Sequence, residues 1–317
     1  MKRALIGLFF ILEIFHFNMV FATSLSHGAY VENNTFIDGD YANGSVVINN
    51  TATLPTSGNV YINIFSGAIK NILADDSTIT LSADLSITGT FHNLVSEKML
   101  QILGDNFTLF LNQDQTLDNL KITGENVIID AQGNTINLNN NKVLCVESGS
   151  DLHIKNCILH VACVDSIYME SELSKLILEN CTLDLETSCS FNKGSLEIRD
   201  NVSITGDSLY TFSLLGGNHT IKSNSTLSIA SGLSLNMSPT TSASNFFEFE
   251  DSTAQLILDG ANLNVSAEIR TNINANNVEF KNNVTINSVS QAELQLQDGT
   301  MNIERDLNLS NMKLILK

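Results

Sequence analysis

The stretch Leu152–Val161, LHIKNCILHV, reads as an apolar pair spaced by one residue, a polar turn, and a second apolar pair spaced by one residue. Six later segments follow the same template: LILENCTLDL from Leu176, LEIRDNVSIT from Leu196, LSIASGLSLN from Leu227, LILDGANLNV from Leu256, VEFKNNVTIN from Val278 and MNIERDLNLS from Met301. Their starts lie roughly 20 to 31 residues apart, a period that signals stacked repeat units. Apolar residues two apart place Leu152 and Ile154 on one face and His153 and Lys155 on the other, which is the alternation of a strand. No copy carries a helical period.

The turn comes in two lengths. From Leu152, Leu176 and Leu256 the apolar pair resumes at Leu159, Leu183 and Leu263; in the other copies it resumes one residue sooner, at Val202, Leu233, Val284 and Leu307. Asn156, Asn180, Asp200, Gly260 and Asn282 occupy these corners, and left-handed backbone conformations are cheapest for Asn, Asp and Gly. Each copy therefore reads as strand, corner, strand. One such pair cannot bury its apolar face alone, so the copies must stack, each coil adding a rung to parallel sheets. The expected fold is all-β, a single-stranded parallel β-helix. At about 23 residues per coil and about 4.8 Å per rung, it would have roughly a dozen coils and a length of about 60 Å.

Composition agrees. The chain has 317 residues with no compositional break, and two prolines, Pro55 and Pro239, as expected where most residues sit in ladders. Trp is absent and aromatics make up 7%, which suggests a narrow interior of Leu, Ile and Val with little room for large rings.

Residues 1–22 read as a signal peptide: Lys2 and Arg3, an apolar run from Ala4, and Val20, Phe21 and Ala22 as a small-residue cleavage pattern. The run is broken by Glu13, His16 and Asn18, short of the ~20 residues of a spanning helix; a retained anchor is the alternative. The expected location is outside the cytoplasm: secreted or on the outer cell surface, with the periplasm as the other exported compartment. Residues 23–45 alternate weakly and suit a lead-in or end cap, and 46–317 form the β-helix. HNLVSEKMLQIL from His92 has some helical spacing, and a short helix on a loop is one reading of it.

The net charge is −18, and removal of Lys2, Arg3 and Glu13 with the leader makes it more negative still. A chain this acidic repels phosphate backbones, and no basic patch or aromatic platform accompanies it, which argues against nucleic acid as a partner.

The stretch GENVIIDAQGNTINL, Gly124–Leu138, followed by a polar loop and the Asn-cornered LHIKNC, resembles the right-handed parallel β-helix proteins of the pectin-lyase-like superfamily. Their early coils often read as a hydrophobic pair, Asp, Gly or Ala, any residue, Gly and a strand. The resemblance implies right-handedness and covers most of the mature chain. SGAI at Ser66 and FKNN at Phe280 faintly resemble the short repeats of chlamydial polymorphic outer-membrane protein passengers, although a repeated set of those motifs and a C-terminal barrel are both missing.

The superfamily includes polysaccharide lyases and hydrolases, whose chemistry uses clustered carboxylates with Arg or Lys on one sheet. The mature chain has three arginines, Arg199, Arg270 and Arg305, and none matches a family catalytic motif. Asp75 and Asp76 are adjacent but read as solvated loop residues. His153 and His160 have Asp151, Asp165 and Asp184 nearby in sequence without metal-ligand spacing, and read as surface rungs. Asp38–Gly44 (DGDYANG) lacks the late bidentate Glu of a calcium loop and reads as a turn. No catalytic, cofactor-binding or metal residues are therefore assigned, and no cofactor is expected. The residues following each first apolar pair, Lys155, Glu179, Arg199, Ala230, Asp259, Lys281 and Glu304, would alternate in sign if the copies stacked in register. Such alternation marks a structural surface.

Five cysteines fall into two sets. Cys157 and Cys181 share the corner position of consecutive copies, and Cys145, Cys163 and Cys189 each lie in the strand before a copy (LCVES, ACVDS, SCSFN). A Cys157–Cys181 bridge and a plain buried stack of small apolar side chains both fit, and an odd count leaves at least one thiol free or intermolecular. The Asn-x-Ser/Thr triplets at Asn180, Asn201 and Asn283 read as turn chemistry. The segment NMSPTTSASNFFEFED from Asn236 is the longest excursion, either a binding loop or a loop whose Phe246 and Phe247 pack on the rod.

The favoured expectation is a non-catalytic exported surface or secreted rod, adhesin-like or structural, that presents loops to a polysaccharide or cell-surface partner. The alternative is a polysaccharide lyase or glycoside hydrolase. The chain stops in mid-pattern at LNLSNMKLILK, so a homo-oligomer contact or a further C-terminal segment is expected to cover the last rung.

Overall fold

The structure is a computed structural model. It describes residues 105–117, 120–141, 143–237, 247–265, 277–297, 300–303 and 305–316, together with short strands within 29–103 and at 270–274. Among the described residues it is an all-β parallel solenoid, with about seven turns in its best-defined part. All recorded strand pairings are parallel except one, Ala29–Glu32 against Thr35–Asp38, which lies within the expected lead-in. The calcium-like stretch beyond it, Gly39–Gly44, and Asp75 and Asp76 fall outside the described residues.

Each coil has three faces. In one complete coil the first face carries Leu152–Lys155, the second Ile158–Val161 and the third Ile167–Met169, and the next coil returns in register at Leu176. Alternation buries every second residue. Leu152, Ile154, Leu159 and Val161 are all inaccessible and are followed inward by Leu176, Leu178, Leu183 and Leu185. At roughly 25 cal/mol per Å² of apolar surface removed from water, these ladders are the main source of stability.

The corners carry left-handed residues where the sequence places them. Asn156, Asn180, Asp200, Gly260 and Asn282 have φ of 54°, 51°, 51°, 63° and 52°. The corner amides also bond along the axis. Asn180 Nδ2 donates to Asn156 Oδ1 at 3.0 Å, Asn156 Nδ2 donates to Asp130 Oδ1 at 3.1 Å, and Asn282 donates to Asp259. Of the Asn-x-Ser/Thr triplets, Asn180 is itself a corner, and Asn201 and Asn283 adjoin the corners at Asp200 and Asn282.

The repeat changes phase along the rod, which the template conceals. The copies from Leu152, Leu176 and Leu196 turn the corner between the first and second faces. Leu227, however, pairs with Val202 rather than with Leu196, so the copies from Leu227, Leu256, Val278 and Met301 turn the corner between the second and third faces. The 31-residue gap between Leu196 and Leu227 is one coil plus one face. The turn at Asp200 also contains an extra residue: register slips between Glu179 and Cys181, so Cys181 faces Val202 and Leu183 faces Ile204. The sequence alignment of Leu183 with Val202 is corrected accordingly.

Two further expectations are overturned. The narrow interior admits large rings: Phe191, Phe212, Phe247 and Phe280 are fully buried, and Phe191 and Phe212 meet edge to face at 5.4 Å and 82°. Phe191 and Phe212 partner each other on consecutive rungs of the third face, whereas Phe280 lies in register between the aliphatic Leu258 and Ile303. The helical reading of HNLVSEKMLQIL fails at both ends, where Phe91–His92 and Leu100–Leu103 are strands, the latter pairing with Leu120–Thr123; residues 93–99 lie outside the described set.

Candidate binding surface

Because alternate residues point outward, each face displays columns of side chains. The charged column on the first face runs Asp130, Lys155, Glu179, Arg199 in register. It then continues to Lys222 and Glu250, whose backbone amides bond to Ile198 and Ile221. Ala230, Asp259 and Lys281, expected in this column, belong to the second face, a consequence of the phase change; Glu304, expected there too, lies outside the described residues. The alternation survives in the true column with one like pair, Arg199 beside Lys222.

Local pairing consumes the charge. Lys155 Nζ lies 3.5 Å from Asp130, Lys121 bridges Glu147 at 2.9 Å and Glu170 at 3.0 Å, Arg199 folds back onto Glu197, and Lys222 pairs with Glu250. The two carboxylates raise the Lys121 pKa, chiefly through the Glu147 bond, and hydrogen bonds from Thr123 and Lys121 lower that of Glu147. Half-exposed pairs of this kind contribute up to about 1 kcal/mol each. Reversing Lys155 to Glu would set like charge against both Asp130 and Glu179, and a fall of roughly 1–3 °C in Tm is expected. An unchanged or higher Tm would contradict the register.

The structure separates the two histidines. His153 is buried rather than a surface rung: its Nε2 is 3.0 Å from Glu179 Oε2 without good hydrogen-bond alignment, and burial lowers its pKa against the pull of that carboxylate. Ile177, next in the same outward column, is buried as well. His160 lies around the corner on the second face, half-buried, with Nε2 2.8 Å from Glu186 and Nδ1 3.9 Å from Asp184. Asp151 instead approaches Lys175. Among the described residues no group of three or more His, Cys, Asp or Glu side chains is disposed to hold a metal ion.

A third histidine that the sequence reading passed over is the most constrained. His219 Nδ1 accepts a hydrogen bond from the Leu196 amide at 3.2 Å, and its ring lies 6.0 Å from that of Phe247. Burial pushes its pKa down to about 4. Phe247 is itself inaccessible and packs on Phe249 at 6.5 Å, so this phenylalanine of the long excursion belongs to the rod; Phe246 and the preceding residues 238–245 lie outside the described set.

The pH consequence has a definite sign. The unfolded ring titrates near 6.5 and the folded ring near 4, so between these values the unfolded chain binds the extra proton. This contribution is complete above pH 6.5, is lost as pH falls through the window, and is absent below pH 4. It amounts to about 3 kcal/mol. Melting at pH 7 and at pH 4.5 should show a larger difference for the native chain than for His219→Gln, whose amide oxygen can still accept from Leu196.

Among the described residues an open cleft of about 240 Å³ lies on the second face. It is lined by Asn180, Thr182, Asn201, Ser203, Thr226 and Ser228, with Cys181 and Val202 between them. The side chains come from three consecutive rungs, since Thr182 pairs with Ser203 and Ser203 with Ser228. Thr182 and Ser203 share a hydrogen bond of 3.0 Å. The lining offers uncharged hydroxyls and amides and contains neither a carboxylate nor a basic group, so it supplies hydrogen bonds to a polar ligand but no acid, base or nucleophile pair. Sequence reading missed the cleft because its residues come from three copies, one of them in the shifted phase. Comparison with protein-family models, with curated proteins and with solved structures returned no match for this chain.

Proposed function

We propose that this protein is an exported, non-catalytic surface or secreted rod, adhesin-like or structural, that offers its outer faces and loops to a glycan or a cell surface. The observation that carries this reading is the outer surface itself: charged columns neutralised along the axis, beside a cleft whose hydroxyls and amides match a hydroxyl-rich ligand. Columns that satisfy themselves from rung to rung stabilise a rod, whereas a catalytic groove on acidic sugars needs an excess of carboxylate or basic groups held apart.

Export rests on the basic start at Lys2 and Arg3, the apolar run and the Ala22 cleavage pattern. The reading takes the solenoid as a right-handed member of the pectin-lyase-like architecture, in line with the VIIDAQG coil at Val127–Gly133. The test is a screen of the purified mature chain against a panel of neutral and acidic polysaccharides, with and without calcium, scored for both binding and breakdown. Retention without cleavage supports the proposal. New reducing ends or unsaturated products would replace it with a lyase or hydrolase.

A further inference from the structure

Cys157 and Cys181 occupy one inward column of the second face, which continues through Val202, Leu227, Leu256, Val278 and Met301. Elsewhere the column is aliphatic or thioether, and only these two adjacent rungs carry thiols. The two residues are in direct register, and their Sγ atoms lie 3.3 Å apart, inside van der Waals contact, with both thiols free. Register neighbours on parallel strands are about 4.8 Å apart, within the Cα separation a disulfide spans, and the sulfurs need to close by only about 1.2 Å.

The other three cysteines have no such partner. Cys145 points outward between Lys121 and Tyr168, with its Sγ 3.5 Å from Glu170; Cys163 lies in a turn with its Sγ against the Asn139 carbonyl; and Cys189 faces inward beside Phe212. Cys145 and Cys189 lie in strands as expected, whereas Cys163 does not, and the three form no aligned set. This placement leaves one pairing open to the chain.

We infer that Cys157 and Cys181 are a disulfide-forming pair that ties two consecutive coils together when the chain folds in the presence of a disulfide oxidant, such as oxidised glutathione or a protein disulfide. One thiolate attacks the oxidant, forming a mixed disulfide and releasing one thiol. The second thiolate then attacks the protein sulfur and releases the other, so two protons and two electrons leave the pair and one oxidant disulfide becomes two thiols. In the folded rod both residues are nearly inaccessible, at 5% and 3% exposure, and closure therefore belongs to folding or to a local opening of the coils. The chemistry does not depend on the proposed surface role, because the test supplies its own oxidant.

The experiment is to unfold the full chain in denaturant, refold it in a buffer of oxidised and reduced glutathione, alkylate, digest without reduction and map the peptides by mass. The expected product links the Cys157 and Cys181 peptides with the loss of two hydrogens and leaves the remaining thiols alkylated. It should melt roughly 5–10 °C above the same chain refolded with reductant, as closure of a loop of this size predicts. Cys157→Val and Cys181→Val, which borrow the residue found at position 202 of the same column, should fold and show no oxidant-dependent shift. Five alkylated thiols after oxidative refolding, a link between any other pair, or a linked product that melts no higher than the reduced chain would overturn the inference.

Discussion

Gly217→Ala is expected to lower the melting temperature by on the order of 10 °C. On the corner leading into the first face, consecutive coils approach backbone to backbone: a Cβ on Gly217 would stand 1.7 Å from the Gly194 carbonyl oxygen. A carbonyl in a stacked rung cannot rotate away as a side chain can, so the coils must separate locally. Overpacking of this kind costs about 1–3 kcal/mol, and the φ of +75° at Gly217 adds about 1–2 kcal/mol for any residue with a side chain. Gly133→Ala is the control. Gly133 also has a left-handed φ, +91°, but nothing lies within 4 Å of its Cβ position, so it should lose only the conformational part. If both variants melted alike, the close stacking of the coils at residues 194 and 217 would be refuted.

Phe212→Ala should be comparably damaging for the opposite reason, because it empties space. Phe212 is inaccessible, stands against the edge of Phe191, and lies in register between Cys189 and Leu235. Truncating a buried Phe costs about 3–5 kcal/mol, depending on how far the site collapses. In a rod each coil is held only by its neighbours, so the loss falls on two successive interfaces and should make melting less cooperative as well as lower. Phe212→Leu keeps most of the volume, and a loss of about 1–1.5 kcal/mol is expected. A cooperative, nearly unshifted transition for the alanine variant would mean that the third face contributes little to holding the coils together.

These two sites also separate what could be read from the sequence from what could not. The repeat in LHIKNCILHV and its copies carried the strand alternation, the parallel stacking and the corner residues, because inward and outward positions must alternate and a left-handed corner selects Asn, Asp or Gly. The register of Cys157 with Cys181 was legible for the same reason, as the two copies are consecutive and equal in turn length. Asn180 marked its corner, but nothing local marked Thr182, Ser203 and Ser228 as one cleft.

The local pattern alone was enough to establish a stack of strand–corner–strand coils with an apolar interior, since that requirement is met within each short segment. Which face each copy occupies followed instead from long-range pairing, because an inserted corner residue at Asp200 and a longer coil before Leu227 shift the phase without changing the local pattern. The same long-range pairing placed Lys222 rather than Ala230 beside Arg199, buried His153 and His219, and fitted Phe191, Phe212, Phe247, Phe249 and Phe280 into the core. Those outcomes depend on which rung lies above and below, and a neighbour roughly 20 to 30 residues away leaves no mark on the alternation of the strand itself.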